Sequence, residues 1–226
     1  MILALFDSDG TLYTGQFGRG MMKYSSSHNR RYFAWRYYAS ILPTYALFKA
    51  KLASWENMQY ALLVNLSGLL QGLDQEQAKA ALSWLLFEYL LPTQRPEVFK
   101  RLKDHQAQGH KIVIVSGMLM PCAEIFREYL QADGAIGTQP ELKNGKYTGQ
   151  TIPPLISGAT KATKVHELVS SRNWAVDWGA SYAYGDSFTD NHMLNLVGHP
   201  VAVYPDSKLH ALAKDKNWEV LGTPKE

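Results

Sequence analysis

Ile2-Leu3-Ala4-Leu5-Phe6-Asp7-Ser8-Asp9-Gly10-Thr11-Leu12 follows the first methionine. Its apolar half predicts a short buried strand over residues 2–6. The Asp-Ser-Asp-Gly after it predicts a polar turn, with glycine where the backbone bends. The same pattern recurs downstream. Strand-like runs at Lys111 to Val115, Ser181 to Tyr184 and Val201 to Tyr204 alternate with helical patterns. Those patterns end near Gln108, span about Pro121 to Leu130, Lys161 to Ser171 and Asp190 to Leu196, and start again at Ser207. Nearly all-apolar strands separated by amphipathic helices imply an α/β fold with a mainly parallel sheet covered on both faces.

Between the first strand and the rest lies a helical stretch. Trp55, Met58, Leu62, Leu66 and Leu69 recur at helical spacing. Asp74 and Gln77 form the signature of a capping box, opening a helix with Leu82, Leu85, Leu86 and Tyr89 on one face. Leu91-Pro92-Thr93-Gln94-Arg95-Pro96 then forbids a continuous helix and marks a hinge. Residues 1–14 and 93–226 are therefore expected to form the core, and residues 15–92 an inserted helical unit. Asn144-Gly145 predicts a hairpin.

With 226 residues, 46% hydrophobic and 19% charged, the chain can bury a full core, which excludes a disordered, collagenous or coiled-coil protein. Cys122 is the single cysteine, so neither a disulfide framework nor a paired-cysteine metal or redox site can form. No export leader is read at the start, and the expected location is the cytoplasm. The charge-free stretches Tyr37 to Phe48 and Asn57 to Leu73 are interrupted by Pro43 or by amides and serine, so neither reads as a membrane span. Net charge is +3, but residues 10–55 carry Arg19, Lys23, Arg30, Arg31, Arg36, Lys49 and Lys51 and no acid. That asymmetry points to a contact surface.

Polar clusters follow three of the strands: Asp7-Ser8-Asp9, Ser116-Gly117, and Gly185-Asp186-Ser187-Phe188-Thr189-Asp190. In a parallel sheet all three open onto one edge, where Lys164, on the helix before the third, can join them. Four carboxylates, a hydroxyl and an ammonium there suit Mg²⁺ and a phosphate, because magnesium shares its octahedron among carboxylate, water and phosphate oxygens.

These clusters, in this order and spacing, resemble the four motifs of the haloacid dehalogenase-like hydrolases: Phe6 to Leu12, Val113 to Gly117, Lys164-Val165 and Tyr184 to Asp190. Asp104-His105 to Gly109-His110, Asn144 to Gly149 and Val197 to Pro200 are similar to the phosphoserine phosphatase-like branch, subfamily IB. The resemblance implies a Rossmann-like three-layer core with an inserted α-helical cap of the C1 type, and a phosphatase working through an aspartyl-phosphate. It makes Asp7 the nucleophile and Asp9 the acid and then the base, with its carbonyl on Mg²⁺. Ser116 and Gly117 would hold the phosphoryl group and Lys164 would neutralise charge. Asp186 would ligate the metal directly, and Asp190 would bind it through water or fix the orientation of its ligands. Lys161, one turn earlier, competes with Lys164, which is preferred from the Val165 and Leu168 pattern. The histidines are expected at the surface or in turns.

Gln16 stands where phosphoserine phosphatases carry a glutamate that can pair with the substrate ammonium. The expected substrate is therefore a phosphorylated small molecule or lipid without a bound ammonium, with phosphoserine or another small metabolite as the alternative. A phosphate-responsive module without turnover is the alternative of another class. The aromatic, basic segment from Arg30 to Lys49 has two readings: packing within the cap, or peripheral contact with the inner membrane surface. No nucleic-acid motif is present. The oligomeric state is left open.

Overall fold

Alternation along the first strand decides how the layers stack. In the computed structural model, which describes residues 1–225 apart from the side chains of Trp55 and Glu56, β1 (Leu3–Phe6) lies at the centre of a seven-stranded sheet. Ala4 and Phe6 face one hydrophobic cluster, and Leu3 and Leu5 face the other. Both clusters are buried, so every β1 residue is apolar and the strand shows no polar face.

The other strands are β2 (Lys111–Leu119), β3 (Gly134–Lys143), β4 (Lys146–Ile152), β5 (Tyr182–Gly185), β6 (His199–Val203) and β7 (Glu219–Leu221), in the order β4-β3-β2-β1-β5-β6-β7. All neighbours are parallel except β3 and β4. That antiparallel pair is the expected hairpin: Asn144 and Gly145 both take positive φ, as a two-residue turn between twisted strands requires. β7 was not expected, since three residues are too few for a periodic signal.

Helices α5 (Pro96–Ala107) and α6 (Met120–Leu130) cover the Phe6 face, while α7 (Ala159–Ser171), the single turn α8 (Asn191–Leu194) and α9 (Ser207–Asp215) cover the Leu5 face. This is the α/β, Rossmann-like three-layer core. His105 of α5, expected at the surface, is buried, with Nε2 2.8 Å from the Tyr184 hydroxyl and Nδ1 2.8 Å from His110.

Between β1 and α5 the chain forms α1 (Phe17–Ser27), α2 (Arg31–Lys49), α3 (Trp55–Asn65) and α4 (Gln75–Trp84), with irregular helical turns at 66–70 and 85–93. Asp74 and Gln77 cap α4 reciprocally, at 2.8 and 3.2 Å. The Trp55 side chain of the expected helical stripe lies outside the described residues, whereas Met58, Leu66 and Leu69 are buried as that stripe requires. α2 continues through Pro43. The hydrophobic cluster on the Phe6 face extends without a break into these helices through Phe17, Met21, Leu82 and Leu85.

Candidate active site

Parallel pairing sets the site. Phe6 is in register with Ile114 of β2 and Tyr184 of β5, so Asp7, Ser116 and Asp186 all emerge at the carboxyl edge of the sheet. Asp7 is pinned there by its own N–H, which donates to the Tyr184 carbonyl at 2.9 Å.

The turn after β1 is shaped by Gly10. Its φ of +87° belongs to the left-handed region, and a β-carbon at this position would collide with the Asp186 carboxylate. Thr11 folds back beneath the turn and its hydroxyl donates to Asp7 Oδ2 at 3.1 Å. Ser8 and Ser116 share a 2.5 Å hydroxyl contact, and the Met118 N–H donates to Ser116 Oγ at 3.1 Å. β2 was expected to stop at Val115, but it runs to Leu119 with its pairing to β3 shifted between Val115 and Leu119. Ser116 and Gly117 occupy that irregular stretch. Thr138 braces it, donating to the Gly117 carbonyl at 3.0 Å and accepting from the Ile156 N–H at 3.2 Å.

Asp7, Asp186 and Asp190 are buried, and one carboxylate oxygen of each lies within 4.8 Å of the others. Asp190 is held by the Ser187 N–H at 3.2 Å, and Gly185 admits it because a β-carbon there would press on the Asp190 side chain. Burial, with Asp7 close by, pushes the Asp186 and Asp190 carboxyls above the usual carboxylate range. Lysines draw both back, Lys225 at Asp186 and Lys161 at Asp190. Three buried acids crowded this closely, all offering oxygen, could hold a hard divalent cation.

The lysine of the site is Lys161. Its Nζ lies 2.5 Å from Asp7 Oδ1 and 2.6 Å from Asp190 Oδ1, and the side chain is buried. Burial alone would lower its pKa, but Asp190 and Asp7 outweigh that and hold the ammonium firmly charged. Lys164, the expected residue, instead pairs with Glu167 at 2.6 Å on the outer surface of α7. Helix geometry explains the correction. Buried Val165 marks the inner face of α7, and position 161 lies four residues before it, while 164 is rotated by about 100°.

Asp9 stands apart from the acid triad. Its carboxylate accepts from the Tyr13 hydroxyl at 2.5 Å and from the Phe17 N–H at 3.0 Å. Burial raises its pKa to about 6 despite those two hydrogen bonds. An acid so tuned can carry a proton near neutrality. Three residues that the sequence reading missed complete the picture. Tyr13 and Thr11 lie within the first turn and orient Asp9 and Asp7. Lys225, from the far end of the chain, places its ammonium on Asp186 Oδ2. Nothing local in the sequence marks Lys225, because it arrives only through the turn after β7.

The family model for haloacid dehalogenase-like hydrolases matches residues 4–195. The chain belongs to this family. It is 30% identical to a putative hydrolase of Mycobacterium leprae over 96% of this chain and 71% of that protein. It is 34% identical to a histidinol-phosphatase of Neisseria meningitidis over 59% of this chain and 61% of that one. Among solved structures, a Bordetella pertussis protein of unknown function superposes with a TM-score of 0.78 at 21% identity, covering 97% of both chains. A substrate-bound phosphoserine phosphatase gives 0.66 at 18% identity, covering 97% of this chain and 92% of that one. These two likenesses establish the shared fold.

Proposed function

We propose that this hydrolase cleaves phosphate monoesters with Mg²⁺ through an aspartyl-phosphate on Asp7, with residues 15–92 acting as a cap over the site. The observation that carries the reading is the buried Lys161 shared between Asp7 and Asp190. A lone carboxylate repels an anionic phosphate; one held against a permanent ammonium can approach it. Asp7, Asp186 and Asp190 would hold the metal, which offsets the negative charge of the phosphoryl group.

Asp7 Oδ attacks phosphorus as the ester P–O bond breaks, and Asp9 gives its proton to the departing alkoxide. Water then attacks the phosphoryl group, Asp9 takes the proton back, and the bond to Asp7 breaks. The Tyr13 and Phe17 hydrogen bonds keep Asp9 oriented for both transfers. Ser116 and the backbone around Gly117 would bind the phosphoryl oxygens. A phosphate-responsive module without turnover has no use for such an acid, which favours hydrolysis.

For the substrate, the side chain that faces Gly117 from the helical insert is aliphatic. Leu63 of α3 lies over Gly117 so closely that a β-carbon would meet it at 2.8 Å. Tyr37 of α2 turns inward, with its hydroxyl 3.4 Å from the Leu62 carbonyl. Gln16, at the start of α1, brings no charge for an ammonium. An amphiphilic monoester of the lysophosphatidate type fits these residues better than phosphoserine. The test is phosphate release from p-nitrophenyl phosphate, phosphoserine, histidinol phosphate and lysophosphatidate, with Mg²⁺ or EDTA and with Asp7→Asn as control. Metal-dependent release lost in Asp7→Asn is expected, with the lipid ester turned over best. Preference for a small polar ester would overturn the substrate assignment, and no release from any ester would overturn the reaction.

A further inference from the structure

We propose that the outward face of α2 docks on an anionic lipid bilayer. The helix is held to the protein by a narrow stripe in which only Tyr37 and Ile41 are buried. On the other side Tyr32, Trp35, Tyr38, Leu42 and Tyr45 follow one another at spacings of three and four residues, which places them on one contiguous surface. Trp35 is 67% exposed and Leu42 49%, and Leu52, in the connection to α3, is 77% exposed. Single exposed apolar residues are ordinary, but an aromatic row along a five-turn helix marks an interaction surface.

Charge selects the partner. Arg31 and Lys49 stand exposed at the two ends of α2 and Lys51 just beyond it, within a stretch of residues 10–55 that has no acid. Arg30 is engaged elsewhere, its guanidinium donating to the Leu69 and Gln71 carbonyls, and is not counted. A second copy of the chain would bring these cations against their own equivalents in a two-fold interface. A bilayer rich in anionic headgroups pairs with them, while aromatic rings settle at headgroup depth. No helix among the described residues is long and apolar enough to cross a membrane, so the contact is made by lying on the surface. Tyr37 is buried on the opposite side of the same helix, its hydroxyl 3.4 Å from the Leu62 carbonyl, so docking would lay the cap itself on the lipid. The inference goes beyond the hydrolytic reading, and binding can be measured without turnover.

The experiment is vesicle flotation of the full chain with phosphatidylcholine alone and with equal parts phosphatidylcholine and phosphatidylglycerol. Wild type is expected to float with the mixed vesicles and to be released by high salt. Arg31→Gln/Lys49→Gln/Lys51→Gln should weaken partitioning by roughly fivefold per charge removed. Trp35→Ser/Leu42→Ser should abolish flotation, with thermal melts of both variants unchanged because the residues are exposed. Absence of flotation with the mixed vesicles would overturn the proposal, as would equal flotation of wild type and both variants. So would a concentration-dependent dimer in sedimentation that Trp35→Ser/Leu42→Ser breaks, since a second copy would then cover the face.

Discussion

Replacing Lys161 with methionine keeps the length of the side chain and removes its charge. The ammonium sits 2.5 and 2.6 Å from two carboxylates with almost no exposure to water, so its loss strands both acids in a buried setting. Breaking a buried pair this way costs about 3–5 kcal/mol. In a domain of this size each kcal/mol lowers Tm by about 2–4 °C, giving an expected fall of roughly 6–20 °C in EDTA. Loss of one preorganised donor at the reacting centre lowers kcat by about 10²–10³-fold. Lys164→Met is the control. Its ion pair with Glu167 is exposed and three residues apart on one helix, worth about 0.5 kcal/mol or less, so Tm should move by no more than about 2 °C. Differential scanning fluorimetry and Mg²⁺-dependent phosphate release read both quantities. A Lys164→Met enzyme as impaired as Lys161→Met, or a Lys161→Met enzyme near wild type in rate, would refute the assignment of the lysine.

Other outcomes follow from the same geometry. Asp9 titrates at 3.8 when unfolded and about 6 when folded, so across that interval the folded chain keeps a proton that the unfolded chain has lost. Its contribution to stability therefore falls as pH rises from about 4 to 6, by about 3 kcal/mol in all. Asp9→Asn should raise Tm at pH 7.5 while abolishing turnover, and that gain should vanish below pH 4; a variant less stable than wild type at pH 7.5 would contradict this. A cation that takes Asp186 as a ligand competes with Lys225 for the charge of its carboxylate. Calorimetric titration of Lys225→Ala with Mg²⁺ should give a Kd lower by roughly two- to fivefold, the worth of a partly exposed ion pair. Weaker binding would show that Lys225 orients Asp186 instead.

Much of this site could be read from residues 2–12 and 181–190, because a parallel sheet converts strand ends into neighbours without further information. Asp7, Ser116 and Asp186 reach the carboxyl edge for that reason, and Asp190 joins them from the turn after β5. The choice between Lys161 and Lys164 was harder: both lie on one helix, and only the burial of Val165 tells which turn faces inward. Asp9 was legible as a chemical group, but its separation from the acid triad was not, because that depends on Tyr13 and the Phe17 N–H capturing its carboxylate. Lys225 was illegible, being brought to Asp186 by tertiary structure across most of the chain. The aromatic row of α2 was visible as composition. Its exposure became apparent only when Tyr37 and Ile41 proved sufficient to seat the helix.

Phosphorylation of Asp7 is read out by acid-quenched turnover with p-nitrophenyl phosphate and Mg²⁺ followed by peptide mass spectrometry. A single phosphoryl group on the peptide carrying Asp7, labile in alkali and absent in Asp7→Asn, is the expected result. A phosphoryl group on any other residue would contradict it, as would a single turnover in heavy-oxygen water that labels the phosphate while leaving Asp7 unmodified throughout.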